Sequence, residues 1–213
     1  KFDCRKGMTI DSYIDKSIDS KPLFGTIKHG YLDDIRWGSD FFSGHLILET
    51  PGQKKITDLI KIKPSVECKE DQLLIQSRIN TVLGSIKKEW IVNLETKELI
   101  LSLDINWPEK SIGSLRLGHI TLIPDAFDEQ SLEVKTFNGG FKEETFQLTK
   151  RNVDLGKSVS FLISGSNALG LTEGSISVED KYKKISLELD RNESATVGLI
   201  THQQVGTKWF TRV

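Results

Sequence analysis

The sequence predicts an all-β protein, a large antiparallel β-sandwich. Period-two alternation recurs along most of the chain, turn-forming residues separate the alternating runs, and no amphipathic pattern of three or more helical turns with a cap is present. Successive side chains of an extended strand point to opposite faces, so alternation marks strands with one face buried.

Taken in order, strands are expected at 8–14, 44–50, 54–62, 72–79, 84–94 and 98–105. The last of these puts Leu99, Leu101, Leu103 and Ile105 on one face. Further strands are expected at 115–123, 131–137, 142–148, 158–163, 174–179, 183–190 and 196–202. In 131–137, Leu132, Val134 and Thr136 oppose Glu133 and Lys135. In 183–190, Ile185, Leu187 and Leu189 oppose Ser186, Glu188 and Asp190. Pro51-Gly52, Glu70-Asp71, Asn138-Gly139-Gly140, Asp154-Leu155-Gly156 and Arg191-Asn192 supply the turns. Residues 125–130 are read as at most one helical turn. About a dozen short strands without a Gly/Ser/Pro linker or internal repeat point to two large sheets packed face to face, with residues 1–213 as one domain.

Composition narrows the function classes. The 213 residues include 37% hydrophobic and 28% charged side chains, enough to fold around a core without disulfide staples. Lys plus Arg is 29 and Asp plus Glu is 30, so no basic footprint for nucleic acid exists. No apolar run is long enough to span a bilayer as a helix, and none near Lys1 resembles a signal peptide. Cys4 and Cys68, the only cysteines, are expected as free, partly buried thiols, a weak pointer to a reducing cytoplasm. The chain lacks an initiator Met, and Thr207–Val213 still alternates at the last residue, so a domain cut from a longer chain is expected.

Residues 20–45 break the pattern. Alternation is lost, Gly25, Gly30, Gly38 and Gly44 punctuate the segment, and aromatic, His and Asp residues concentrate there. Long irregular loops in a sandwich carry function or form interfaces. Tyr31 and Trp37 offer flat faces for a pyranose ring, and His29, Asp33, Asp34, Asp40 and His45 offer partners for its hydroxyls. These seven residues are the candidate carbohydrate-binding or interface set. In the structural alternative, Trp37, Phe41 and Phe42 anchor the loop to the core while the Asp residues cap turns.

Three stretches carry a resemblance: Arg5-Lys6-Gly7-Met8-Thr9-Ile10, Gly25-Thr26-Ile27-Lys28-His29-Gly30-Tyr31 and Ser39-Asp40-Phe41-Phe42-Ser43-Gly44-His45. Leu169-Gly170-Leu171-Thr172-Glu173-Gly174 adds to it. The chain resembles the galactose-mutarotase-like supersandwich domains attached to glycoside hydrolases. It is most similar to those that follow the catalytic barrel in family fifty-seven α-glucan-processing enzymes. The resemblance implies an accessory domain that supports a catalytic domain of the same longer chain and contacts oligosaccharide. Aldose 1-epimerase chemistry, which the resemblance would assign to a His acid and a Glu base, meets His29 near the first position but His119 where the Glu would fall. A plain protein-interaction module is the remaining alternative.

Other chemistry finds little support. Adjacent acids such as Asp33-Asp34 and Glu143-Glu144 point to opposite faces of a strand and make no hydrolytic dyad. No Gly-x-Ser-x-Gly elbow and no His-x-His or His-x-x-x-His pair occurs. No cofactor, resident metal or membrane partner is expected. His119, in alternation with Leu115, Leu117 and Ile123, is expected to be part-buried and hydrogen-bonded.

Overall fold

The computed structural model describes residues 1–27, 42–108, 113–149 and 168–213. His29, Tyr31, Asp33, Asp34, Trp37 and Asp40, and the strand expected at 158–163, lie outside the described residues.

Strands dominate, and the helical structure described is one three-residue 3-10 turn, Cys4–Lys6. The first strands are β1 (Phe2–Asp3), β2 (Thr9–Ile10), β3 (Ser12–Tyr13), β4 (Phe24–Gly25), β5 (Leu46–Glu49) and β6 (Ile56–Thr57). The middle of the chain supplies β7 (Ser65–Lys69), β8 (Gln72–Thr81), β9 (Gly84–Asn93), β10 (Leu99–Asn106), β11 (Ser114–Leu117), β12 (Glu133–Thr136) and β13 (Glu144–Gln147). The remainder supplies β14 (Ala168–Gly170), β15 (Ser175–Glu179), β16 (Lys184–Glu188), β17 (Val197–Leu199), β18 (Thr201–Val205) and β19 (Lys208–Arg212).

Two four-stranded antiparallel sheets form the main layers. One is the meander β10-β9-β8-β7, and the other has the order β13-β12-β15-β16. In the meander, Ile75 faces Trp90 and Ile79 faces Ile86 across β8 and β9, while Arg78 faces Lys87 on the opposite surface. Alternation thus sends an apolar row inward and a polar row outward. The second sheet repeats the logic, with Val134, Ile176 and Val178 buried and Lys135 bridging Glu133 and Glu179 outside. One apolar cluster joins Ile75 and Trp90 to Val134, Ile176 and Val178, passing through Phe24, Ile120 and Leu122. The layers therefore share a core, as a β-sandwich requires.

Residues 119–123 hold the smaller strands together. Along one edge, Gly25 N donates to Thr121 O, Ile123 N to Leu23 O, and Gly44 N to His119 O. Along the other, Ile120 N donates to Val213 O and Leu122 N to Thr211 O. Residues 119–123 thus link two separate two-stranded sheets, β18-β19 and β3-β4, through isolated bridges.

Several boundaries differ from expectation. The strand expected at 8–14 is two separate short strands, β2 and β3, because β2 pairs back onto β1 while β3 pairs with β4. Of 54–62 only Ile56–Thr57 pairs, as the chain then bends to aim Asp58 inward. β7 was not expected: all five of its residues are exposed, so it has no apolar face, and the Glu70-Asp71 turn sets its pairing. Residues 125–130 form turns and bends with no helical turn. Cys4 and Cys68 are free thiols, the first half-buried and the second exposed on β7. Among the described residues no helix is long and apolar enough to cross a membrane.

Candidate functional site

The irregular segment is held at both ends by the same small region. Ser43, fully buried, donates its hydroxyl to Gly25 O at 2.5 Å and accepts from Thr121 N at 2.9 Å. Ile10 N donates to Ser43 O, and Thr26 Oγ1 donates to Ile10 O at 2.8 Å. One serine therefore clamps the outgoing chain, the returning chain and the strand beneath them. The described ends of the segment are thereby fixed to the same strands.

His45 follows directly. Its side chain is fully buried, so the structure places this candidate inside the protein, beside His119, with ring centroids 5.7 Å apart. Among the described residues, neither ring nitrogen of His45 nor Nδ1 of His119 makes a hydrogen bond of ordinary geometry, and the same is true of Thr121 Oγ1. Burial, then the positive charges of Lys88, Arg212 and Arg116, push the His45 pKa down to about 3, with a weak opposing pull from the Phe42 backbone. Burial followed by Arg212, His45 and Arg116 holds His119 well below the ordinary value. Both rings are neutral at physiological pH. An ordinary base or acid for catalysis needs solvent or substrate contact and a pKa near the working pH. This pair has neither, and acts as a polar centre of the interior.

His119 departs from expectation in two ways. Leu115 and Leu117 are each 42% exposed, whereas His119 is 5% exposed. Gly118 lies between them in the left-handed region, with φ 65, and this reverses which face the following residue presents. His119 therefore turns inward while its expected neighbours face out, and its Nδ1 has no hydrogen-bond partner among the described residues.

Gly44 makes a matching kink on the opposing chain, with φ 71. A Cβ there would lie 2.4 Å from Trp90 Cζ2. Gly44→Ala is expected to cost about 2–4 kcal/mol, the sum of left-handed strain and overpacking. Gly52→Ala is the control, since Gly52 has the same φ with nothing within 4 Å of its Cβ position. It should cost only about 1–2 kcal/mol. Urea denaturation of the two variants measures the difference.

Beneath this centre lies a buried ion pair. Lys88 Nζ, on β9, donates to Asp58 Oδ2 at 2.7 Å and to Gly44 O at 2.6 Å. Asp58 Oδ1 accepts from Leu46 N at 2.9 Å. Both side chains are fully buried. Burial lowers the Lys88 pKa, and Asp58 opposes that shift by charge and hydrogen bond.

On the opposite face of residues 119–123 lies a second polar grouping. His202 is 2% exposed, its Nδ1 is 2.8 Å from Thr211 Oγ1, and its ring stacks on Trp209 at 4.7 Å and 13°. Burial pushes its pKa down to about 4. His202 and Trp209, with Asp125 and Glu129, line a small cleft with an interior volume of about 20 Å³, room for about one water. Among the described residues no group of three or more His, Cys, Asp or Glu side chains is placed to hold a metal ion.

Comparison of the chain with protein-family models, with curated proteins and with solved structures finds no match. The site rests on its own geometry.

Lys88, Asp58, Arg116, Arg212, His202 and Trp209 escaped the sequence reading. A signal existed for Lys88, which alternates in register with Ile86 and Trp90 on the buried face of its strand. A lysine in an apolar row indicates a buried partner. Asp58 carries no such signal, because 54–62 pairs over two residues only.

Proposed function

We propose that this chain is an accessory β-sandwich domain of a carbohydrate-active enzyme, of the galactose-mutarotase-like supersandwich kind. Its role in this reading is to support a catalytic domain of the same longer chain and to contact glycan through the segment between Gly25 and His45. The observation that supports it most is the Ser43 clamp, which ties both ends of that segment to one rigid strand. Ordering backbone costs about 1–2 kcal/mol per residue. A buried clamp spends hydrogen bonds on fixing the ends of a segment that carries His29, Tyr31, Asp33, Asp34, Trp37 and Asp40. Those are the side chains that a polyhydroxyl ligand or a packed domain face uses. His45 contributes from inside, as part of the base that carries the segment.

Trp37→Ala is expected to weaken binding of malto- or galacto-oligosaccharide by about 1–3 kcal/mol, with the melting temperature nearly unchanged. A core-anchoring Trp37 would instead lose about 3–5 kcal/mol of stability. Calorimetric titrations and thermal melts of wild type and variant, run together, separate the two. A large stability loss with no sugar ever binding the wild type would remove the glycan reading.

A further inference from the structure

We propose that one end of the β13-β12-β15-β16 sheet is a self-association surface, and that its partner is a second copy of this chain, with Phe141 of each copy seated in a cleft of the other. This surface is independent of the segment between Gly25 and His45. Two parts come together at this end. Thr136 pairs with both Glu144 and Ile176, and Ser175 pairs with Glu188. The β12-β13 loop, the chain entering β15 and the chain leaving β16 therefore lie side by side.

The first part is a knob. Phe141, in the β12-β13 loop, is fully exposed. The loop that carries it is pinned to the chain entering β15. Asn138 Oδ1 accepts from Gly170 N at 2.7 Å, Thr172 Oγ1 accepts from Gly139 N at 2.8 Å, and Thr172 N donates to Phe137 O at 2.9 Å. A loop fixed in advance lowers the ordering cost of association.

The second part is a cleft of about 330 Å³. Leu171, Leu189, Ala195, Arg191, Ser194 and Thr196 line it. Leu189 is 41% exposed, and Arg191, Ser194, Ala195 and Thr196 are exposed, so the lining is surface and not core. One wall is fixed: Leu189 N donates to Gly174 O at 2.8 Å, and the Arg191 stem lies against Gly174, where a Cβ would fall 2.7 Å from Arg191 Cγ. A cavity of about 150 Å³ holds a benzene ring, so a phenyl group fits this cleft with room. Leucine and alanine carbons suit the ring, and a guanidinium stacks on an aromatic face.

The occupant follows from the juxtaposition. Thr172 belongs to both parts, because it pins the knob and also lines the cleft. A knob beside a cleft that accepts it is what a two-fold, self-complementary interface requires. The charges agree with this. Lys142 and Glu143 follow Phe141, and the cleft is bordered by the Glu173–Arg191 ion pair, with Arg191 Nη1 2.6 Å from Glu173 Oε2. Each side brings one charge of each sign, so neither copy meets an uncompensated charge.

The test is sedimentation equilibrium of the whole chain from about 10 µM to about 1 mM. The wild type should show reversible association that stops at the dimer. Phe141→Ser, which removes the knob, and Leu189→Arg, which fills the cleft, should each weaken it by about tenfold or more. Ser194→Arg, at a more exposed cleft position, replaces Leu189→Arg if that variant does not melt like the wild type. The equimolar mixture of the knob variant and the cleft variant retains one of the two contacts. It should associate at concentrations where neither variant does alone. A wild type that stays monomeric at 1 mM would overturn the proposal. Association that persists unchanged in Phe141→Ser would overturn it too, as would a mixture no more associated than its separate components.

Discussion

Acidification to pH 5 is expected to destabilise this protein by about 6 kcal/mol relative to pH 7.5, well before its carboxylates titrate. The cause is three buried neutral histidines. His45 and His202 are depressed to about 3 and about 4, and His119 lies well below its ordinary value. In the unfolded chain each titrates near 6.5. Above that value both states are neutral and the histidines contribute no pH dependence. As pH falls below it, the unfolded chain binds protons that the folded chain refuses, so stability falls until the folded pKa values are reached. Each histidine contributes a slope of about 1.4 kcal/mol per pH unit, about 4 for the three. Asp15, Asp19, Asp128 and Glu179 are also held low, chiefly by side-chain hydrogen bonds. Their effect has the same sign but starts near pH 4, so the windows separate. Urea denaturation at half-unit pH steps should show the loss beginning near pH 6.5. His202→Gln should remove about a third of the slope. A flat profile from pH 7.5 to 5 would mean the rings are not held neutral inside.

The fold was legible wherever one strand face is apolar. Leu99, Leu101, Leu103 and Ile105 lie on the half-buried face as alternation requires, and Leu132, Val134 and Thr136 lie on a buried one. Legibility failed where pairing does not depend on burial. β7 is exposed throughout, and β1 and β4 are two-residue strands set by tertiary contacts. It also failed at a reversal. The row Leu115, Leu117 and His119 reads as one face, but the left-handed Gly118 splits it. A glycine inside an alternating run announces such a break without saying which side goes inward.

The site was less legible, for a related reason. Its polar residues come from distant segments that only the sheet brings together: His45 after the irregular segment, His119 in the linking strand, and Arg212 and His202 in the last hairpin. Each looks ordinary alone. Their effect on each other arises from burial, which a linear pattern reports for apolar residues and misses for charged ones.

Lys88→Met is expected to destabilise the protein by about 3–5 kcal/mol, although it places an apolar side chain in a buried position. The reason is what it leaves behind. Asp58 would remain fully buried, with one carboxylate oxygen on Leu46 N and the other without its ammonium. Gly44 O would also lose its donor. Asp58→Asn keeps the shape and should cost a similar amount, because it strands the ammonium in the same interior. Burial already lowers the Lys88 pKa, and losing Asp58 removes the interaction that opposes this. The double variant Lys88→Met/Asp58→Asn decides between two accounts of the pair. If the charges mainly offset each other's desolvation, the double variant should be less destabilised than the sum of the singles by about 2–3 kcal/mol. If the pair instead holds the returning chain in place, the double variant should be as unstable as the sum. Amide exchange at Gly44, His45 and Leu46 should then accelerate more than at the β15-β16 pair, which lies in the other main sheet. The geometry favours the first outcome for stability and the second for exchange. Lys88 bonds both the carboxylate and the Gly44 carbonyl, and only the carboxylate loses its need for a cation when Asp58 becomes neutral.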